Sequence, residues 1–287
     1  MRLNICGLPV QFIMKDEFWD TLSDMPRFRP FIESKTVQNQ RKEEEHALTI
    51  EVCENFDILL PPLEYELKPY GFAHEKEQVI AWNLLNSKGM IRMAPMWQKA
   101  FIYGSPLELS LCIEQYLQLG YTSYLTTKQG LFMHGAIIEY EGEGIIITAQ
   151  SGGGKSTLAD LCQKYFGAKI INGDKAMIRI VDGKVMVFGS PWAGSSNIYC
   201  NKELILKGVI VLEKSDQNKI SELSIREAIT KAGQRIYYPY WNEALLEQSI
   251  ETLEQLFLKV PIYELKCKPE EEAARLVRNV VYGNKEE

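Results

Sequence analysis

Apolar and polar positions alternate with two different periods along this chain, and the change of period divides it. Up to about residue 104 the apolar runs are short and broken by turn residues, as in strands. Leu3 to Ile13 is a mostly apolar run suited to pairing with another strand, and Asp16 to Met25 suits one short helix. From His46 to Val52 the pattern alternates, with Leu48, Ile50 and Val52 on one face. Further strands are predicted at Glu64 to Lys68, Gln78 to Trp82, Met90 to Met93 and Ala100 to Tyr103, with Pro61, Pro62 and Pro69 as breakers. The charge run Arg41 to Glu45 reads as a solvated turn.

From Ser105 the period lengthens. Ser105 and Glu108 form a capping-box pattern with Pro106 at the first helical position, and Leu109, Cys112, Ile113, Tyr116 and Leu117 share one helical face that Gly120 would end. A division into a smaller β-rich N-terminal domain, 1–104, and an α/β domain, 105–287, is therefore expected. Within the α/β domain the apolar runs LFMHGAIIEY and IIITAQ flank Glu141 to Gly144, which is hairpin chemistry. The strand leading into Gln150 then has an antiparallel partner just before it, so the sheet is expected to be mixed or antiparallel rather than wholly parallel. If cross-strand pairs sum to about 285, His134 falls opposite Ser151 or a residue or two before it. A helix from Gly154 to Phe166 closing at Gly167, a strand from Lys169 to Asn172 and a hairpin around Asp182 and Gly183 follow. The remaining predicted elements are a strand at Lys207 to Lys214, helices at Ile225 to Ala232 and Glu243 to Leu258, a strand at Pro261 to Leu265 and a helix at Glu270 to Tyr282.

The most chemically specific stretch is Ile145 to Asp160, IIITAQSGGGKSTLAD. It is an apolar strand, a glycine-rich turn and a helix start, the context in which a loop cradles phosphate. Gly154, Lys155 and Ser156 fit Gly-x-x-x-x-Gly-Lys-Ser/Thr, with Ala149 in place of the first glycine. The backbone amides of Ser151, Gly152, Gly153 and Gly154 suit an anion, with Thr157 just inside the helix. Lys155 would reach the outer phosphates and the Ser156 hydroxyl a magnesium ion. Asp174 stands at the end of the next strand, where a magnesium ligand or a proton acceptor is wanted, or where Gly173 and Asp174 form only a turn. His134 would sit at the mouth of the loop, either serving the chemistry there or as a satisfied structural histidine. The segment Gly189 to Ser196, GSPWAGSS, would close over a ligand or act as a long connection.

Composition narrows the partners. A net charge of −6 and a pI near 5.4 give no basic excess for DNA or anionic lipid, so neither nucleic acid nor membrane is an expected partner. The six cysteines are scattered without a C-x-x-C pair, against a zinc site or a disulfide framework. With no secretory pattern at MRLNICGLPV and no apolar run of about 18 residues, a cytoplasmic location is expected.

The ordered set MHGA, hairpin, SGGGKST, NGD, SPWAGSS, KGVIVLEK and VPIYELKCKPEEEAARL resembles the HPr kinase-related kinases, which share the nucleotide fold of phosphoenolpyruvate carboxykinase. The resemblance covers about 130 to 282. It implies a carboxykinase-like P-loop domain and an ATP- and magnesium-dependent kinase acting on a hydroxyl. A serine of a small protein or of a lasso-type precursor peptide is one implied acceptor, a small metabolite another; a nucleotide-binding regulatory module with impaired catalysis is the non-enzymatic alternative. By the same resemblance Lys155 contacts phosphates, Ser156 holds magnesium, His134 matches the histidine before the loop strand, and Asp174 matches the second acid of an Asp-Asp pair. Gly173 stands where the first acid would be. Asp174 then either takes the hydroxyl proton or holds metal, with His134 or Glu213 taking the proton in the second case.

Overall fold

The computed structural model describes residues 1–34, 47–54, 59–85, 89–105 and 108–283. The charge run 41–45, His46 and Pro106 lie outside them. Two compact units divide between Thr127 and Lys128: Met1–Thr127 with Pro239–Leu245, and Lys128–Tyr238 with Leu246–Glu287.

The first unit is an eight-stranded sheet of β1 (Arg2–Ile5), β2 (Leu8–Ile13), β3 (Leu48–Glu54), β4 (Tyr65–Leu67), β5 (Tyr70–Glu75), β6 (Gln78–Asn83), β7 (Gly89–Met93) and β8 (Lys99–Gly104), in the order β1-β2-β3-β8-β7-β6-β5-β4. β3 runs parallel to both β2 and β8, and the other pairs are antiparallel. The single run expected from Leu3 to Ile13 is a hairpin, turning at Cys6 and Gly7, both at positive φ. A short helix α1 (Asp16–Asp24) follows it, in agreement with its pattern.

Helix α2 (Leu109–Thr126) differs from expectation at both ends. No side chain caps its start at Glu108; Ser105 Oγ lies 3.4 Å from the Glu108 carboxylate instead. Gly120 is an interior residue of the helix, because the apolar face continues past it and is buried throughout. The tyrosines explain why this helix belongs to the first unit and why the boundary is 127/128 rather than 104/105. Tyr116 Oη donates to the Gly89 carbonyl and Tyr121 Oη to the Ile5 carbonyl, each at 2.6 Å, so both buried phenols are satisfied by strands of this sheet.

The second unit is a nine-stranded mixed sheet. It comprises β9 (Gly130–His134), β10 (Ala136–Tyr140), β11 (Glu143–Thr148), β12 (Lys169–Asn172), β13 (Lys175–Val181), β14 (Lys184–Phe188), β15 (Glu203–Lys214), β16 (Lys219–Glu222) and β17 (Ile262–Cys267). The path is β12-β10-β11-β15-β14-β13-β9, with β17 beside β15 and β16 beside β17. β15 runs parallel to both β11 and β17, and β10 is antiparallel to β11. Helices α3 (Lys155–Phe166) and α6 (Glu271–Tyr282) cover one face together with Ile145, Ile147, Ile210 and Leu265. Ile146 and Val209 point the other way, into a cluster with Leu253, Leu256 and Phe257 of α5 (Glu243–Lys259) and Ala228 of α4 (Ile225–Lys231). A strand covered on both faces has no polar side to show, which is why Ile145, Ile146 and Ile147 follow one another without a polar break.

The expected hairpin of β10 and β11 forms, with pairs Ala136↔Ile147 and Tyr140↔Glu143, a sum of 283 rather than 285. His134 is not in it. The apolar run 131–140 is two strands parted at Gly135: β9 pairs with β13, placing His134 opposite Lys175, whereas β10 pairs with β11 and β12. These two strands stand near opposite ends of the strand order though adjacent in sequence. The connection from β12 to β13 makes the same crossing, and the two crossings run side by side, with Gly135 N–H donating to the Asp174 carbonyl at 2.8 Å.

Candidate functional site

The glycine-rich loop leaves β11 at Thr148 and enters α3 at Lys155. Gly153 N–H donates to the Gln150 carbonyl at 2.8 Å, and Gly154, at φ 100°, is the residue before the helix. That conformation suits glycine and suits side chains poorly. No side chain caps this helix and no acid stands in its first turn, so its leading N–H groups and the positive end of its dipole are open to an anion. Ser151, Gly152, Ser156 and Thr157 are exposed, while Gly153, Gly154 and Lys155 are half-buried.

The two crossings bring His134 and Asp174 to this loop. Lys155 Nζ lies 2.8 Å from His134 Nε2, and His134 Nδ1 lies 3.2 Å from Asp174 Oδ1. A lysine ammonium has only protons to offer, so Nε2 accepts and the ring proton belongs on Nδ1, facing the carboxylate. The Nδ1 contact is close but is not an aligned hydrogen bond, and this buried atom has no hydrogen-bond partner among the described residues. Thr148 Oγ donates to the His134 carbonyl at 2.6 Å, tying the histidine to the end of the loop strand.

Charges here are mutually adjusted. The His134 ring holds the Asp174 carboxyl below the usual carboxylate range; burial opposes this, and the Lys175 and Lys155 charges add to it. Burial lowers Lys155 below an ordinary lysine, Asp174 partly restores it, and the Arg235 guanidinium depresses it again. Arg235 ends a short turn, Gly233–Arg235, and its buried Nε lacks a hydrogen-bond partner among the described residues. Tyr237 stands edge-on to His134 with centroids 6.4 Å apart, and Lys175 Nζ lies 5.4 Å over its ring. Burial, with help from Asp174, pushes the Tyr237 phenol up to about 12. Nothing in the spacing around it marks Arg235, which the fold alone brings to the loop; Tyr237 belongs to an aromatic run that the sequence offers either as core or as pocket lining.

Asp174 is held by a buried polar network. Asn172, with no exposure, accepts from the Asp174 and Lys175 amides at 3.0 and 2.9 Å. Its Nδ2 faces the Ser190 carbonyl at 3.1 Å, Ser190 Oγ at 3.2 Å and the Trp192 carbonyl at 3.3 Å. The GSPWAGSS segment is thus fastened beneath the acid, with Gly194 against the carboxylate: a β-carbon at 194 would fall 2.9 Å from Asp174 Oδ2. At Gly173 a β-carbon would lie 2.3 Å from both Cβ and Oγ of Ser196. The chain has no room for a second acid there while Ser196 keeps its place. Glu213, the other candidate proton acceptor, lies 3.9 Å from Lys266 and forms no hydrogen bond or ion pair with His134, Lys155 or Asp174 among the described residues. Among those residues no three His, Cys, Asp or Glu side chains come together, and no helix is long and apolar enough to cross a membrane.

A mixed α/β chain with two sheets and a strand, glycine-rich loop and helix in its second unit is the class that this fold and site define. Residues 108–270, more than half of the chain, match the family described as SynChlorMet cassette protein ScmC, and the chain belongs to that family. Chains of solved structures also match, among them the HPr(Ser) kinase/phosphatase from Coxiella burnetii. The identity there is 12%, the TM-score 0.33, and the match covers 52% of this chain and 87% of the other. No curated protein matches.

Proposed function

We propose that the chain is an ATP- and magnesium-dependent kinase that moves the γ-phosphoryl group to a hydroxyl, of a serine in a small protein or peptide or of a small metabolite. The observation that carries this reading is the relay Lys155–His134–Asp174 at the mouth of the glycine-rich loop. With phosphates on the loop amides, Lys155 exchanges its imidazole partner for phosphate oxygens. His134 Nε2 is then free to accept the acceptor's hydroxyl proton, while Asp174 steadies the Nδ1–H and the charge that develops on the ring. The hydroxyl oxygen forms a bond to the γ-phosphorus as the bond to the bridging oxygen breaks, and ADP departs. Arg235 and Lys155 stand where added negative charge is stabilised.

The donor set suits magnesium rather than an ion caged by protein alone. Magnesium keeps water and phosphate ligands and asks for only one or two carboxylates, here Asp174, with the Ser156 hydroxyl. Bound there, it would draw charge from the transferring phosphoryl group. The absence of an acid at 173 favours a second reading, a nucleotide-responsive module with little catalysis.

One experiment separates the two. Purified protein is given labelled ATP and magnesium with serine peptides and small hydroxy compounds, and both ATP binding and phosphate transfer are measured. Wild type is expected to bind and transfer. Lys155→Ala is expected to lose binding, and His134→Gln to keep it but lose about 100-fold or more in turnover. Undiminished turnover in His134→Gln overturns its role as base; tight ATP binding without transfer to any acceptor favours the module.

A further inference from the structure

Behind the glycine-rich loop lies a recess of about 490 Å³, within the size range of small-molecule sites. Gly152, Gly153 and Gly154 form one wall, while His134, Lys155 and Asp174 do not line it. The loop therefore borders two sites, the relay and this recess. The floor is Leu158 and Leu161 of α3, Leu212 of β15 and Cys267 of β17. It opens beyond the carboxyl ends of the parallel strands β11, β15 and β17, where open α/β sheets place ligands.

We propose that this recess takes the base and ribose of a purine nucleoside triphosphate and reads the base by packing, with little discrimination between adenine and guanine. The proposal rests on the kinase reading above and deepens it. A triphosphate laid along the loop has two ends: the terminal phosphate at Lys155, and the nucleoside, for which this recess has the volume and apolar walls. Thr157, in the first turn of α3 with Lys155, lines the recess. Strong choice between bases needs polar groups that are left unpaired by the wrong base. The polar side chains around this recess do not meet that condition. Lys214, Asp216 and Lys268 are exposed and Ser215 is half-buried, so water can satisfy each of them whichever base is bound.

The test compares ATP, GTP and inorganic tripolyphosphate, each with magnesium, by calorimetric titration of the full chain. ATP and GTP are expected within about tenfold of each other, and tripolyphosphate weaker than both by about tenfold or more. Leu161→Trp, which fills the recess, is expected to weaken both nucleotides about tenfold or more and leave tripolyphosphate unchanged. Ser215→Trp at the rim should do the same and serves if the first variant does not fold. Lys155→Ala should weaken all three ligands. Nucleotide binding unaffected in the tryptophan variants, or tripolyphosphate falling in parallel, overturns the assignment of the recess. A preference between ATP and GTP beyond about 100-fold overturns the packing-only reading of the base. All three ligands unchanged in Lys155→Ala would instead sink the phosphate site itself.

Discussion

Gly173→Ala is the substitution whose sign the structure decides. Where backbone and space permit, replacing glycine by alanine stabilises a protein by about 0.4–1 kcal/mol, because the unfolded chain loses freedom. Gly173 is not among the glycines at positive φ, so its backbone raises no objection. Space does: the added carbon would lie 2.3 Å from Ser196 Cβ and Oγ. Forcing the two apart costs about 1–3 kcal/mol, so the variant should be less stable than wild type. Ser196 cannot simply rotate away, since the clash is with Cβ as well as Oγ, and its Oγ donates to the Ala193 carbonyl at 2.7 Å. Ser196→Gly removes both clashing atoms and should itself cost about 0.5–1.5 kcal/mol for that hydrogen bond. In that background Gly173→Ala should become neutral or stabilising, whereas Ser196→Ala, which keeps Cβ, should give no such rescue. Urea denaturation of the four combinations measures the coupling, expected at about 1–3 kcal/mol. Additive effects, or a stabilised Gly173→Ala single variant, would refute the steric account of why position 173 holds no side chain.

The remaining predictions concern the other supports of the site. Asn172→Ala should cost about 3 kcal/mol or more, because it leaves the Asp174 and Lys175 amides without their buried acceptor; chemical denaturation reads the loss, and phosphate transfer should fall with it. The ionised Asp174 has a lowered folded pKa, so its contribution to stability is present above the unfolded value near pH ~4 and disappears as pH falls through the lower folded value. Thermal melts of wild type and Asp174→Asn should therefore converge as pH falls below ~4; a gap that stays constant would show that the carboxylate charge is not what matters.

Much of the second unit is legible in local pattern. Each of the segments Lys155–Phe166, Lys169–Asn172, Glu243–Lys259 and Glu271–Tyr282 carries its own periodicity and stop signals, such as Gly167 closing α3 in the left-handed region. Tyr70–Glu75 and Lys219–Glu222 are strands that the pattern does not announce: the first is a polar-ended run between a proline and a turn, and the second is short and largely exposed. The ends of α2 are equally hidden, because helix continuation past Gly120 is decided by burial against the first sheet, not by the glycine's own preference.

By itself the sequence determined the glycine-rich turn, the strand before it and the helix after it, since φ preferences and alternating burial act over a few residues. It also placed a lysine, a hydroxyl and an acid near that turn in chain order. Only the tertiary structure decided that His134 leaves the hairpin at Gly135 and meets Asp174 through two neighbouring crossings. It also decided that Arg235 arrives from sixty-one residues beyond that acid, and that Ser196 fills the space a side chain at 173 would need. Those relations depend on which strands pair across the sheet, and pairing between distant segments leaves no periodic trace in the segments themselves.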